Sequence, residues 1–517
     1  MPEGRNMKPK EKLILIGVDG ATWKIINPLI EDGKLPTFEL FVSEGAYGTL
    51  ESTVPPNTPP AWTSIFTGVN PGKHGITDFS IREEDGSFHL PHRKMRGVHT
   101  IWSLTNLYDL KCIVINDPVT YPPEKVNGIM TTGLLTPPGS KNYVWPKDKL
   151  TEINSAANGY LFELNKEFYD AVRKGKEAKA CSLATEFDVK LTKTFLYLMS
   201  NYEWDIASII YVSSDRLQHY YWDNKELLRS YYVNLDKQIH RILDVAPNAT
   251  VILVSDHGFR SVKKYFYINT YLYNKGLLRV KKSIIRRLCI SMHLTREKIA
   301  DMLERSNLLG LFDILIRFLP IRIEMLPPAS ELDAALIDYA NSIAFAYGYR
   351  GIYLNSNNAT ILKNITKMIE NIKDEDNRVI SRVYYSKDVV WGPYSYRSPA
   401  LYVYPEGEYI ISTRINNNIF GFGSASERLL TGDHDVEGIF AIYGRNIKKL
   451  RVNNSIKTWD IAPTLLHLLG MPIPTYMDGK VLKDIFKDTS EPFQRSIKYL
   501  KNVDHKVIKR KIIHLKK

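Results

Sequence analysis

Five segments of this chain are short, apolar and rich in β-branched residues: KLILIGVDG (Lys12–Gly20), KCIVIND (Lys111–Asp117), DIASIIYVSSD (Asp205–Asp215), ATVILVSDHG (Ala249–Gly258) and GIFAIYG (Gly438–Gly444). Runs of this kind lack the polar alternation of a half-exposed strand, so they read as strands buried on both faces of a parallel sheet. Helical patterns separate them, among them LATEFDVKLTKTFLYLMSNY and ELLRSYYVNLDKQIHRILDV. Alternating strand and helix predicts an α/β fold, a doubly wound and mostly parallel sheet with helices on both faces. Between Lys275 and about Thr431 the texture changes to a basic helical block, then short Tyr-rich strands and one helix, ATILKNITKMIENIKD. The expected organisation is a core over 7–275, an inserted smaller α+β cap unit over 276–430, the last part of the core over 431–490, and a basic tail over 491–517.

Composition narrows the class. Hydrophobic residues make up 44% and charged residues 24%, as in ordinary globular proteins. No run of 18 apolar residues exists; the best candidate, from Leu308, is broken by Asp313, Arg317 and Pro320, so no membrane span is expected. The opening MPEGRNMKPKEK leads straight into a strand, with no secretory leader expected and Met7 an alternative start. Cys112, Cys181 and Cys289 are far apart and form no CxxC pair, which fits a reducing, cytoplasmic setting. The formal net charge is +13, and from Phe493 onward nine basic side chains face only Asp504. That tail is a candidate for contact with an anionic membrane or nucleic acid, against the plainer reading of a solvated, frayed terminal helix.

Ligands of open α/β sheets bind beyond the carboxyl ends of the strands, so the chemistry is sought there. Asp19 ends the first strand. Asp215 ends the third, with His219 one helical turn on. Asp256 and His257 end the fourth, before Gly258, and His434 sits in a polar loop before the fifth. Each alone has an ordinary reading, as a turn, a cap or a surface residue. Together they bring three carboxylates and three imidazoles to one rim, a donor set that suits Zn²⁺ and similar divalent ions. Elsewhere, VPPNTPPAWTSIFTGVNPGKHGI (Val54–Ile76) places a threonine before two prolines, which predicts a helix over Pro59–Thr67 with Thr58 as its N-cap. GVNPGKH is not a phosphate loop, being one residue short and lacking the Ser/Thr. His240 and His467 fall inside helical patterns and read as surface or packing residues.

The succession VDG, TPPAWTSIFTGVNPGKHGI, SDRLQH, SDHGF and GDHDVEGIF resembles the type I phosphodiesterase/nucleotide pyrophosphatase branch of the alkaline phosphatase superfamily. The likeness runs on through DIAPTLLHLLGMPIP and MDGKVL and fades in Lys281–Pro328 and in the tail. It implies an alkaline phosphatase-like fold with two divalent metal ions, Zn²⁺ foremost and Mn²⁺ or Co²⁺ as alternatives. Carried over by motif, Thr58 is the nucleophile, counted nine residues back from Thr67-Gly68. One ion is held by Asp19, Thr58, Asp256 and His257, the other by Asp215, His219 and His434. Relatives that cleave nucleotides carry an Asn after the HGI string, where this chain has Phe79.

The resulting expectation is a metal-dependent phosphoesterase of phosphodiesterase type, acting on a phosphate ester through a phosphothreonine intermediate, with the start of the Thr58 helix adding positive potential. The competing readings are a phosphotransferase, a monoesterase or mutase on the same site, and a non-catalytic anion-binding protein. A diester is preferred because no Arg is seen near the Thr58 motif and Trp62 and Phe79 make its flank apolar; an Arg or Lys reaching in from the inserted unit, for example from Tyr349-Arg350-Gly351, would count against it. A sulfatase is not expected, since no Cys or Ser stands in the C/S-x-P-x-R context.

Overall fold

The computed structural model describes residues 11–281, 337–356, 358–424 and 426–501. The basic helical block after Lys281 and the tail after Lys501 lie outside the described residues. Contacts divide the chain into two units. The first comprises the chain to Val262, Ser386–Ser398 and the chain from Ser424 on, and the second comprises Lys263–Tyr385 and Pro399–Gly423. The second unit thus opens upstream of position 276, where the composition changes, and is interrupted by a short return to the first.

The first unit is built on nine strands: β1 (Leu13–Val18), β2 (Ala46–Glu51), β3 (Cys112–Asp117), β4 (Gly128–Thr132), β5 (Val144–Trp145), β6 (Ile206–Tyr211), β7 (Thr250–Val254), β10 (Glu437–Tyr443) and β11 (Leu450–Lys457). A separate ribbon pairs β8 (Gly258–Ser261) with β9 (Gly432–Asp435). The sheet order is β11-β2-β10-β7-β1-β6-β3-β4-β5. Its centre, β7 through β4, is parallel. Every residue of β1, β3, β6 and β7 is buried, which requires cover on both faces. Helices α3 (Glu177–Asn201) and α5 (Lys225–Val245) pack on each other, as do α2 (Thr58–Thr67) and α6 (Ile461–Leu468).

Two expectations are corrected here. The GIFAIYG segment is buried as predicted but runs antiparallel to β7, with Phe440 opposite Val254. The ribbon explains why: β8 leaves the carboxyl end of β7, β9 returns antiparallel beside it, and β10 therefore starts at that end and runs back. The start of the basic tail is packed and not frayed, a short helix at Glu491–Gln494 leading into an extended segment. Tyr499–Leu500 pairs in parallel with Ile473–Pro474, Ile497 packs against the core, and the Arg495 guanidinium donates to the His467 carbonyl.

The return segment Ser386–Ser398 forms a strap over the loop after α2. Trp391 N–H donates to Asn70 Oδ1 (3.0 Å), Tyr394 N–H to the Gly72 carbonyl (2.8 Å) and Arg397 Nη1 to the Gly75 carbonyl (3.0 Å). The buried Arg397 also pairs with Glu83 at 3.0 Å. The GVNPGKHGI motif is therefore a docking face for a distant part of the chain.

Within the second unit, an antiparallel sheet runs in the order Ala344–Tyr347, Gly351–Leu354, Leu401–Pro405, Ile380–Tyr385, with helix Ala359–Glu370 packed on it through Ile365 and Ile369. Arg350 is buried there, its guanidinium 4.6 Å from the Tyr349 ring and 5.0 Å from that of Tyr404.

Candidate active site

The first unit gathers all seven residues singled out in the sequence. Asp19 follows β1, and Asp256 and His257 follow β7, both at the carboxyl rim. Asp215 and His219 lie one turn apart on α4 (Ser213–Tyr221), a spacing that puts both on one helix face. His434 is not in a loop, as expected, but in β9, opposite Phe259. Two glycines make the approach possible. Gly20 has φ +69, and its N–H donates to Asp256 Oδ1 at 3.1 Å. At Gly258 a Cβ would stand 2.0 Å from the Glu437 carbonyl, so only glycine lets the ribbon close behind His257.

Each imidazole is fixed by a backbone carbonyl on its Nδ1: His219 by Gly432 (3.0 Å), His257 by Gly258 (3.1 Å) and His434 by Pro56 (3.0 Å). A carbonyl only accepts, so each Nδ1 carries the proton and each Nε2 turns a lone pair inward. His219 Nε2 and His434 Nε2 are 2.9 Å apart. Asp215 Oδ1 lies 3.2 Å from His434 Nε2, 3.4 Å from His219 Nε2 and 3.9 Å from His257 Nε2. His257 Nε2 is 3.5 Å from Asp19 Oδ1 and 3.3 Å from Asp256 Oδ2. Asp19 Oδ1, Asp215 Oδ1 and Asp256 Oδ2 are buried and receive no hydrogen bond. Three buried carboxylate oxygens that receive no hydrogen bond thus face the Nε2 atoms of three imidazoles, a costly arrangement unless cations sit among them. Two clusters of ligand atoms close enough to share an ion stand out, Asp215–His219–His434 and Asp19–Asp215–His257.

The electrostatics agree. Burial, and then the neighbouring carboxylate charges, push Asp19 and Asp256 well above the usual carboxylate range. Burial would raise Asp215 as well, but His219 and Arg216 outweigh it and hold Asp215 well below that range, and Asp215 in turn raises His219 against the effect of burial, so that without a metal ion a proton on His219 takes up part of the negative charge. Burial also lowers His257 and His434, which keeps them neutral as ligands must be.

Thr58 is buried beside this cluster, its Oγ1 3.4 Å from His257 Nε2. It is the first residue of α2 and not its N-cap. The cap is Asn57, whose Oδ1 accepts the Thr58 N–H (3.2 Å) while its Nδ2 donates to Asp78 (2.7 Å). The Thr58 hydroxyl is thereby released from capping. Pro59 and Pro60 have no N–H, and Ala61 N–H bonds the Asn57 carbonyl, so this helix start presents no free N–H to a ligand. The expected contribution of the helix end reduces to its dipole alone.

Trp62 does not form an apolar flank. It is fully buried against Gly17, and its Nε1 donates to Asp19 Oδ2 at 3.0 Å. Sequence reasoning missed Asn57, Trp62 and Ser214, which donates to the Asp19 carbonyl (2.6 Å), and it missed Arg216 and Glu163 beside Asp215. Arg216 had a signal, being a charge set between two candidate ligands in SDRLQH, whereas Glu163 had none. His240 is exposed, and His467 is buried on the Pro492 carbonyl, both away from the cluster.

A mostly parallel α/β sheet whose carboxyl rim carries this donor set has the alkaline phosphatase-like fold. The chain belongs to the type I phosphodiesterase/nucleotide pyrophosphatase family, whose model matches residues 13–437. That family consists of metal-dependent hydrolases of phosphoric esters, and the chain is an enzyme of this class. The fold is similar to that of phosphonoacetate hydrolase from Sinorhizobium meliloti 1021, solved in complex with phosphonoformate. The two share 12% identity with a TM-score of 0.55, over 90% of this chain and 96% of the other. Comparison with curated proteins gave no match. Among the described residues no helix is long and apolar enough to cross a membrane.

Proposed function

We propose that this chain hydrolyses phosphodiesters with Thr58 as nucleophile and two divalent ions at the rim, Zn²⁺ fitting the carboxylate–imidazole donors best and Mn²⁺ or Co²⁺ sharing them. The observation that carries the reading is the convergence of three buried carboxylate oxygens that receive no hydrogen bond with three imidazole Nε2 atoms, beside the Thr58 hydroxyl. Asp215, His219 and His434 would hold one ion, and Asp19, Asp256, His257 and the Thr58 oxygen the other. When bound, such ions make the hydroxyl a nucleophile near neutral pH and offset charge on the phosphoryl oxygens. Thr58 Oγ1 gives its proton to solvent and attacks phosphorus, the Thr–O–P bond forms, and the bond to the leaving alcohol breaks, its oxygen taking a proton from solvent. Water then cleaves the phosphothreonine and restores the hydroxyl. Asn57 holds Thr58 from the front of the helix, and the Thr63 hydroxyl locks the first turn on the Pro59 carbonyl (2.7 Å). The free thiols Cys112 and Cys181 fit a reducing, cytoplasmic setting.

A diester is the preferred substrate. A monoester dianion needs an uncommitted cation, and among the described residues the cations flanking the candidate ligands are engaged. Lys24 pairs with Asp435, Arg260 with Asp433, and Arg216 with Asp215 and Glu163. At matched leaving group, bis(4-nitrophenyl) phosphate should exceed 4-nitrophenyl phosphate in kcat/KM by at least about tenfold, or roughly 1.4 kcal/mol. A monoester turned over faster than the diester overturns the preference. Appearance of product only when an alcohol acceptor is added overturns hydrolysis in favour of transfer.

A further inference from the structure

The two oxygens of Asp215 have different surroundings. Oδ1 faces the imidazoles, whereas Oδ2 accepts from Arg216 Nη1 at 2.5 Å. Arg216 is in turn gripped by Glu163 with two prongs, Nε to Oε1 at 3.3 Å and Nη2 to Oε2 at 3.2 Å. Glu163 lies between helices Leu150–Ala157 and Lys166–Arg173, and its carboxylate is steadied by the Leu164 N–H (3.2 Å). Both side chains are mostly shielded from solvent, 17% and 23% exposed.

We propose that Glu163 and Arg216 are a positioning pair that holds Asp215 as a one-oxygen ligand. Arg216 binds Oδ2 so that Oδ1 alone is presented to the His219–His434 ligand group. This rests on the reading above that the rim binds metal. A buried carboxylate among two others is repelled by them and gains by rotating away or by using both oxygens, and a guanidinium on Oδ2 removes both options. The forked geometry matters, since one planar group must reach Asp215 and both oxygens of Glu163 together, which a lysine ammonium does not do. Glu163 also returns a negative charge, so Arg216 does not act as a phosphate-binding cation.

The test is Zn²⁺ stoichiometry and affinity, by calorimetric titration of the stripped full chain and by elemental analysis after dialysis. Wild type should take up two ions. Arg216→Ala should keep one and bind the other about 10- to 100-fold more weakly. Arg216→Lys should recover little, and Glu163→Gln should shift the same ion less, since Gln still accepts from Arg216. Raised Zn²⁺ should restore turnover to Arg216→Ala, which damage to the fold would not allow. Wild-type affinity for both ions in Arg216→Ala overturns the proposal while leaving the metal site standing. Should Arg216→Ala not fold, Glu163→Gln with unshifted binding overturns it equally. A wild-type chain that takes up no ion sinks the reading of the site, and this inference with it.

Discussion

Thr58→Ala and Asn57→Ala should have opposite profiles. Asn57 Oδ1 caps α2 through the Thr58 N–H, and its Nδ2 donates to the buried Asp78. Losing the cap costs about 1 kcal/mol and losing a hydrogen bond to a carboxylate about 1.5–3 kcal/mol, so Asn57→Ala should lose about 2.5–4 kcal/mol of stability. The Thr58 hydroxyl has one weak contact at 3.4 Å, and its methyl is worth about 0.8 kcal/mol. Thr58→Ala should therefore unfold within about 1.5 kcal/mol of wild type. Turnover should behave the other way. Removing a nucleophile costs at least about 10⁴-fold, equivalent to about 5.5 kcal/mol of transition-state binding, while Thr58→Ser keeps the hydroxyl and much of the rate. Guanidinium unfolding and bis(4-nitrophenyl) phosphate turnover, both with Zn²⁺ present, measure the two axes. Turnover of Thr58→Ala within tenfold of wild type would refute the nucleophile. A stability loss exceeding that of Asn57→Ala would make Thr58 the cap after all.

Chelation should abolish turnover, Zn²⁺ or Mn²⁺ should restore it, and added metal should raise the melting temperature by mass action; full activity in protein shown metal-free by elemental analysis contradicts this. Asp188, which accepts from Ser213 and Tyr231, is pushed up by burial to about 7. Its folded pKa lies above the unfolded value, so its contribution to stability is complete at acid pH and is lost as pH rises from about 4 to about 7. Asp188→Asn should flatten that part of the unfolding profile, and an unchanged slope denies Asp188 the role. Ending the chain at Gln494 removes the Tyr499–Leu500 pairing, the Ile497 packing and the Arg495 bond, and should cost about 1–3 kcal/mol; identical melting would return the segment to a loose tail.

The gathering of the candidate ligands was legible because metal chemistry uses few residue types, and strand ends are where an α/β sheet collects them. Asp215 and His219 needed only helical spacing, and the SDHG string carried its own turn signal. The direction of β10 was not legible, because burial on both faces looks alike in parallel and antiparallel strands. β2 was missed because Gly48 and a half-exposed face dilute its pattern. The cap of α2 was off by one residue: Asn57 and Thr58 are both good caps, and the choice falls to Asp78, 21 positions away. Glu163 was beyond reach for the same reason, since nothing near it in the chain marks it as Arg216's partner.

The strap has a consequence for anyone who cuts or swaps parts of this chain. The second unit is left and re-entered at Ser386–Ser398, so a single excision from 263 to 423 would also discard Trp391, Tyr394 and Arg397. Asn70, Gly72 and Gly75 would then lose their partners, a few residues past the α2 helix that begins with Thr58. A chimaera that exchanges the second unit therefore needs two splices, 263–385 and 399–423, with the thirteen-residue strap kept in its native sequence between them.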